Sequence, residues 1–274
     1  MIQASLRPAV ESWLESDLQV ELSRGGTENV SIVPVPDPEF ELRAVRCGDR
    51  NLIVARDTWT PQLQQVCGTL EPELLFSVFG AYELGRVAVP RGFGVWGPTW
   101  WLFGDESTWR PRLHHDVNSL TAEQHSQIDF EIFWHCYPLD ESVAAFGIQV
   151  DDRLLALATV GDRGRPFMEI GVDVAPGQQT RGLGSSVISA AGNWILDQGC
   201  LPMAGVGPFN VPSARALRGA GLAYGFSDLV AAPGPFRVPP QPLGKPIPEA
   251  ELQDHYPAWA MNADIRPRSH SGGG

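Results

Sequence analysis

The sequence is short of cysteine, short of cationic charge, and free of long uninterrupted apolar runs. Its four cysteines, Cys47, Cys67, Cys136 and Cys200, stand far apart and form no C-x-x-C pair, so neither a zinc site nor a disulfide framework is signalled. That usage fits a reducing compartment, and a cytoplasmic location is expected. No window approaches the roughly eighteen uncharged apolar residues of a membrane span, and no basic segment followed by an apolar stretch opens the chain as in a signal peptide. Lys and Arg total 20 against 32 Asp and Glu, for a formal net charge of −12. This argues against nucleic acid as a partner and favours a cationic one, such as an amine. His114-His115-Asp116, with His125, His135 and Cys136 downstream, invites a metal reading. Adjacent histidines point in different directions in regular structure, and no H-x-H or H-x-x-x-H pair exists, so no metal is expected. No repeat of fixed period is visible.

What is present is ample material for a core: 43% hydrophobic residues, with nine Trp and twelve Phe in 274 positions. Val10, Trp13, Leu14 and Leu18 recur at helical spacing after Pro8, which predicts an amphipathic helix over 8–22. Ser31 to Pro38 reads as extended. Arg43 to Arg56 reads as a hairpin turning at Gly48–Asn51, and 62–70 and 71–84 as helices. The most aromatic stretch, Arg91 to Gly104, carries glycines that favour strands or tight turns; Trp96, Trp100, Trp101 and Phe103 either fill a core or wall an organic substrate. Ser119 or Thr121 is expected to cap a helix bearing Ile128, Phe130, Ile132 and Phe133. Val143–Val150 and Leu154–Val160 read as a hairpin around Asp151-Asp152-Arg153. Leu201–Val206 reads as a buried strand, Asn210 to Ser213 as the start of a helix with Pro212 in its first turn, and Leu222–Ala231 as a final strand.

The chain is organised around Met168 to Gly184, MEIGVDVAPGQQTRGLG. Ile170, Val172 and Val174 alternate with Glu169, Gly171 and Asp173, the period-two pattern of a strand over Phe167–Val174. From about Arg181, Leu183, Val187, Ala191, Trp194 and Ile195 recur at helical spacing, up to a C-cap-like Gly199. The intervening Gln179-Thr180-Arg181-Gly182-Leu183-Gly184 lets backbone approach a ligand closely, and the first helical N–H groups point outward unpaired. Such a turn attracts anions, phosphates above all.

The order hairpin, strand, turn, helix, strand, Asn-x-x-Ser helix, strand resembles the GNAT superfamily of N-acetyltransferases. The matching residues are Val174-Ala-Pro176, then Gln179-x-x-Gly182-x-Gly184 against the superfamily's Q/R-x-x-G-x-G/A signature, and Asn210-x-x-Ser213 followed by Gly221. EIGVDVAP, RGLG, Gly199-Cys-Leu-Pro202 and NVPS are also similar to a bacterial subgroup that includes a zwittermicin-resistance acetyltransferase. The resemblance covers about Val143 to Leu229. It implies an α/β (α+β) fold: a mixed, mostly antiparallel twisted sheet flanked by helices over 116–232. Residues 1–115 then form an N-terminal α/β region expected to shape the acceptor site, and 233–274 a Pro/Gly-rich tail.

The resemblance further implies acetyl-CoA or another acyl-CoA as cosubstrate, a small-molecule amine as acceptor, and a monomer or homodimer. The pyrophosphate is expected on Gln179, Thr180, Arg181, Gly182, Leu183, Gly184 and Ser185, where Arg181 adds a charge-assisted contact. The strand before the turn should splay from its neighbour, leaving backbone near Val172 and Val174 to hold the acyl carbonyl. Asn210 lies near the pantetheine arm, and Ser213 starts the helix beside it. A base is needed for the attacking amine and an acid for the leaving thiolate. Glu169 and Asp173 share a strand face, and either serves as base or stands as a plain strand carboxylate. Many members carry a Tyr acid seven residues after the Asn, but here that position is Leu217, which leaves Tyr224 or water. A CoA-binding sensor without catalysis is the alternative function. If the turn holds the pyrophosphate, Gly182→Glu puts bulk and negative charge on it and should abolish acetyl-CoA binding in a calorimetric titration; unchanged affinity would place the donor elsewhere.

Overall fold

The computed structural model describes residues 4–233 apart from 37, 152 and 180. The expected tail therefore lies almost entirely outside the described residues. Helix α1 (Arg7–Leu18) opens with a proline in its first turn, buries Val10, Leu14 and Leu18, and closes on a left-handed Gln19. Strands β1 (Ser31–Val35), β2 (Leu42–Cys47) and β3 (Arg50–Arg56) follow, with β2 and β3 forming the expected hairpin. Then come α2 (Thr60–Cys67), α3 (Pro72–Leu75) and α4 (Val78–Ala88). The single helix expected over 71–84 is thus two, because the Ser77 hydroxyl accepts from the Phe79 N–H at 3.1 Å and caps a new start.

The aromatic stretch is one long strand, β4 (Phe93–Phe103). After it come β5 (Asn118–Ser119), α5 (Ala122–Ser126), β6 (Ala144–Val150), β7 (Arg153–Asp162), β8 (Phe167–Val174), α6 (Leu183–Asp197), β9 (Leu201–Val206), α7 (Val211–Gly219) and β10 (Ala223–Pro233). Thr121 caps α5 through a capping box with Gln124, but the helix stops at Ser126, short of the apolar residues it was expected to carry. Beyond it the Asp129 carboxylate accepts from the Glu131 N–H at 2.9 Å, a local turn that competes with helix continuation.

All ten strands join one mixed, mostly antiparallel sheet in the order β1-β3-β2-β10-β4-β9-β8-β7-β6-β5. The last strand among the described residues, β10, lies between β2 and β4, while β4 pairs on its other edge with β9. Strands from both sides of residue 115 therefore share one hydrogen-bonded sheet. Helix α1 covers one face, over Phe103, Phe167 and Phe226, which are all fully buried. The other face carries α2 and α4 toward the β1 end and α6 and α7 over the β4 to β8 region. No helix among the described residues is long and apolar enough to cross a membrane.

One buried ion pair ties the first face together. The Arg43 guanidinium on β2 donates to the Asp228 carboxylate on β10 at 2.8 Å and also reaches Asp17 of α1. Burial pushes the Asp228 carboxyl up, and Arg43 partly pulls it back. Removing one partner from such a pair strands a charge out of water. Arg43→Met should therefore cost about 3 kcal/mol at neutral pH. Because the folded-state pKa of Asp228 is raised, its protonated form carries the stability and loses it as pH rises. The deficit should accordingly shrink at mildly acidic pH, as read from urea midpoints at the two pH values.

Candidate active site

Strands β8 and β9 run parallel, and their register pairs only Phe167 with Leu201, Met168 with Pro202 and Glu169 with Met203. Beyond Glu169 they part. β8 stays paired to β7 as far as Val174 with Ala156, while β9 stays paired to β4 as far as Val206 with Trp100. Each strand is held by its outer neighbour, so a wedge opens between them from Ile170 onward. The β8 edge there carries backbone groups without a strand partner, and such groups need hydrogen bonds from elsewhere.

Around this wedge lies a cleft of 1190 Å³. One flank is β8 from Glu169 to Val172; the other is Gly205 to Gly207, continuing to Phe209, Asn210, Ser213 and Leu217. On the α1 face, the segment from Ile128 to Pro138 crosses β8, and β4 adds Trp96 to Thr99 and Trp101. The aromatic stretch thus divides between both readings. Trp96 and Trp101 face the cleft, whereas Phe103 is wholly buried in the core. Carboxylates of Asp129, Glu131, Glu141 and Glu169 line the same space, so it is acidic as well as aromatic.

The two strand carboxylates do share a face, but each has its own partner. Glu169, 7% exposed, accepts from the Arg163 Nε at 2.6 Å, and Arg163 also donates to the Tyr137 hydroxyl at 3.1 Å. Asp173 accepts from the His135 backbone N–H at 2.5 Å and lies 2.8 Å from the His135 Nδ1. Burial, and then the Glu169 charge, push the Tyr137 hydroxyl well above the usual phenol range. Tyr224 stands outside the cleft lining; its hydroxyl is 2.7 Å from the Ser227 Oγ, and its ring packs with the α6–α7 core. Leu217, at the position where a tyrosine was looked for, is 1% exposed and lines the cleft.

The turn occupies the end of β8, ahead of α6. Gly182 is the N-cap with φ of +80°, a conformation glycine takes without strain. No side chain caps α6 and its first turn holds no acidic residue, so its leading N–H groups keep their positive end of the helix dipole uncompensated. Gln179 and Arg181 are exposed, Gly182, Gly184 and Ser185 half-buried, and Leu183 buried; Thr180 lies outside the described residues. Residues 108–115 strap this region down. The Trp109 ring occupies the space above Gly192, where a Cβ would meet it at 2.0 Å. Arg112 and His114 donate backbone N–H groups to Ser189 and Ser186 at 2.7 and 3.0 Å, and the His115 Nε2 sits 2.7 Å from the Arg181 carbonyl. None of the described residues from Gln179 to Ser185 lines the cleft itself, whereas Glu169, Val172, Asn210 and Ser213 do. Asn210 caps α7, accepting from the Ser213 N–H at 3.3 Å.

Sequence reasoning did not assign His135, Tyr137 or His115 to the site. Nothing local marks them: His135 is 38 residues from Asp173, and His115 is 66 from Arg181. No group of three or more His, Cys, Asp or Glu among the described residues could hold a metal.

Residues 110–222 match the profile of the acetyltransferase (GNAT) family. The matched segment, less than half of the chain, is similar to the GNAT acetyltransferases, and the enzyme class to which this likeness points is the N-acetyltransferases. Among solved structures, a GNAT-family acetyltransferase from Novosphingobium aromaticivorans DSM 12444 aligns at 16% identity and a TM-score of 0.41, over 51% of this chain and 66% of its own. A GNAT-family acetyltransferase from Colwellia psychrerythraea aligns at 14% identity and a TM-score of 0.43, over 64% and 70%. A GCN5-related N-acetyltransferase from Kribbella flavida gives 20% and 0.42, over 55% and 64%. The chain thus spans about two thirds of the length of these structures. No curated protein matches the sequence.

Gly171 is where the crossing segment touches β8. A Cβ there would lie 2.3 Å from the His135 carbonyl oxygen. Gly171→Ala should force the 133–137 segment off the sheet, destabilising the fold by about 1–3 kcal/mol. Hydrogen exchange should show the loss of protection concentrated in 128–138 and β8; unchanged exchange there would mean that the contact is unimportant.

Proposed function

We propose that the chain is an acyl-CoA-dependent N-acyltransferase that moves acetyl from acetyl-CoA to a primary amine of a small molecule by direct attack. The observation that carries this reading is the parting of β8 from β9 beside the uncapped N-terminus of α6. A thioester whose pyrophosphate rests on the leading N–H groups of α6 can thread its pantetheine arm into the wedge, past Asn210 and Ser213. The freed backbone near Val172 and Val174 then meets the acyl carbonyl and stabilises the oxyanion. Arg181, exposed at the turn, adds a charge-assisted contact to a phosphate.

The acceptor reading is supported by the other end of the cleft. Its carboxylates attract an ammonium group, and its indole and phenyl faces favour cations through their quadrupoles. The likeness to the zwittermicin-resistance subgroup belongs to this same reading and points to a polar amine as acceptor.

A second reading, a CoA-binding sensor without turnover, is favoured by one observation, the buried Leu217 where a phenol would protonate the thiolate. Thermal unfolding with acetyl-CoA, followed by thiol release with spermidine, tyramine and kanamycin, separates the two. We expect stabilisation by acetyl-CoA and thiol release with at least one amine. Stabilisation without release from a wide amine panel selects the sensor, and no stabilisation overturns both.

A further inference from the structure

We propose that His135 is the general base of this site and that Asp173 positions it. The inference rests on the acyltransferase reading above. Three observations lead to it. First, the segment that carries His135 lies against β8 at Gly171, one residue into the opened wedge, and His135 itself lines the cleft. Second, Asp173 holds His135 twice, accepting from its backbone N–H at 2.5 Å and meeting Nδ1 at 2.8 Å. A carboxylate at Nδ1 places the neutral ring's proton there and leaves Nε2 as a free acceptor. Third, the competing carboxylate is engaged: the Glu169 Oε2 accepts from the Arg163 guanidinium at 2.6 Å, a contact that an attacking amine would have to displace. Asp173 is likewise occupied by the histidine it orients. With both β8 carboxylates engaged, the His135 Nε2 is the basic atom that the Asp173–His135 pair offers to the cleft it lines.

The step balances without further reagents. The neutral amine attacks the thioester carbon while the His135 Nε2 takes one of its protons. The C–N bond forms, the C–S bond breaks, and the thiolate leaves and takes a proton from water. The imidazolium, stabilised by Asp173, then returns its proton to solvent. Asp173 on β8 meets the ring directly, and the other charged groups that share the cleft with it are Asp129 and Glu131 on the crossing segment, Glu141 beyond it, and Glu169 with its Arg163 partner. These carboxylates also draw the ammonium form of the acceptor in.

The test uses the full chain with acetyl-CoA and whichever of spermidine, tyramine and kanamycin releases thiol fastest. His135→Gln should lower kcat by about 100-fold or more, the scale of a lost general base, with the KM for acetyl-CoA unchanged. The acidic limb of the kcat against pH profile should vanish in His135→Gln and persist in Glu169→Gln. Asp173→Asn should give a smaller loss in kcat, since the ring keeps its place on the segment but loses the carboxylate that holds Nδ1. A kcat within about threefold of wild type in His135→Gln, while acetyl-CoA still stabilises the protein, overturns the role of His135 alone. Absence of stabilisation by acetyl-CoA in the wild type overturns the acyltransferase reading, and this role with it. A readout that needs no acceptor is the imidazole tautomer by nitrogen-15 NMR: Nδ1–H in the wild type is expected, and Nε2–H overturns the proposal.

Discussion

The constraint on which this site depends is that two parallel strands, paired from Phe167 to Glu169, part beyond Glu169 without either losing its place in the sheet. A gap of that kind would ordinarily close, because unpaired backbone groups out of water are costly. Here it is held open from outside: β7 keeps β8 and β4 keeps β9, each by continued antiparallel pairing past the point of divergence. The wedge is thus a property of the whole sheet. It survives only because a strand from the N-terminal half, β4, takes the position next to β9.

That placement explains why the N-terminal residues are indispensable to a site whose signature lies near residue 180. β4 supplies both the far rail of the wedge and two of its indoles, and the 108–115 segment that follows fastens the α6 turn. The small residues along α6, Ser186, Ser189 and Gly192, are where that fastening occurs. The two serine hydroxyls receive backbone N–H groups that would otherwise be unpaired beside the helix, and Gly192 leaves room for the Trp109 ring.

Much of this was legible in the sequence wherever a residue's role is set by its neighbours along the chain. Phe167–Val174 alternates apolar and polar residues because one face meets α6 and the other meets the cleft, and its span was read to the residue. Asn210 announced its helix because capping is local, and Leu201–Val206 announced its strand. The 122–133 segment misled, because apolar residues that pack from turns onto β7 look helical at that spacing. What sequence could not show was the insertion of β10 between β2 and β4, which depends on edge complementarity across the whole length of the chain. The carboxylates were named, but their partners were not, since Arg163 and His135 reach them through tertiary structure.

The location of β10 also bears on how the molecule is assembled. It emerges last among the described strands, yet it belongs between β2 and β4, in the middle of the sheet. During synthesis from the N-terminus, β2 and β4 must wait with open edges until residues near 223–233 have been made. Pairings so distant in sequence are slow to form, and unpaired edges are the surfaces on which chains aggregate. The central seam, with its buried Arg43–Asp228 contact, therefore joins a β1-β3-β2 unit that can pair within itself to strands made much later.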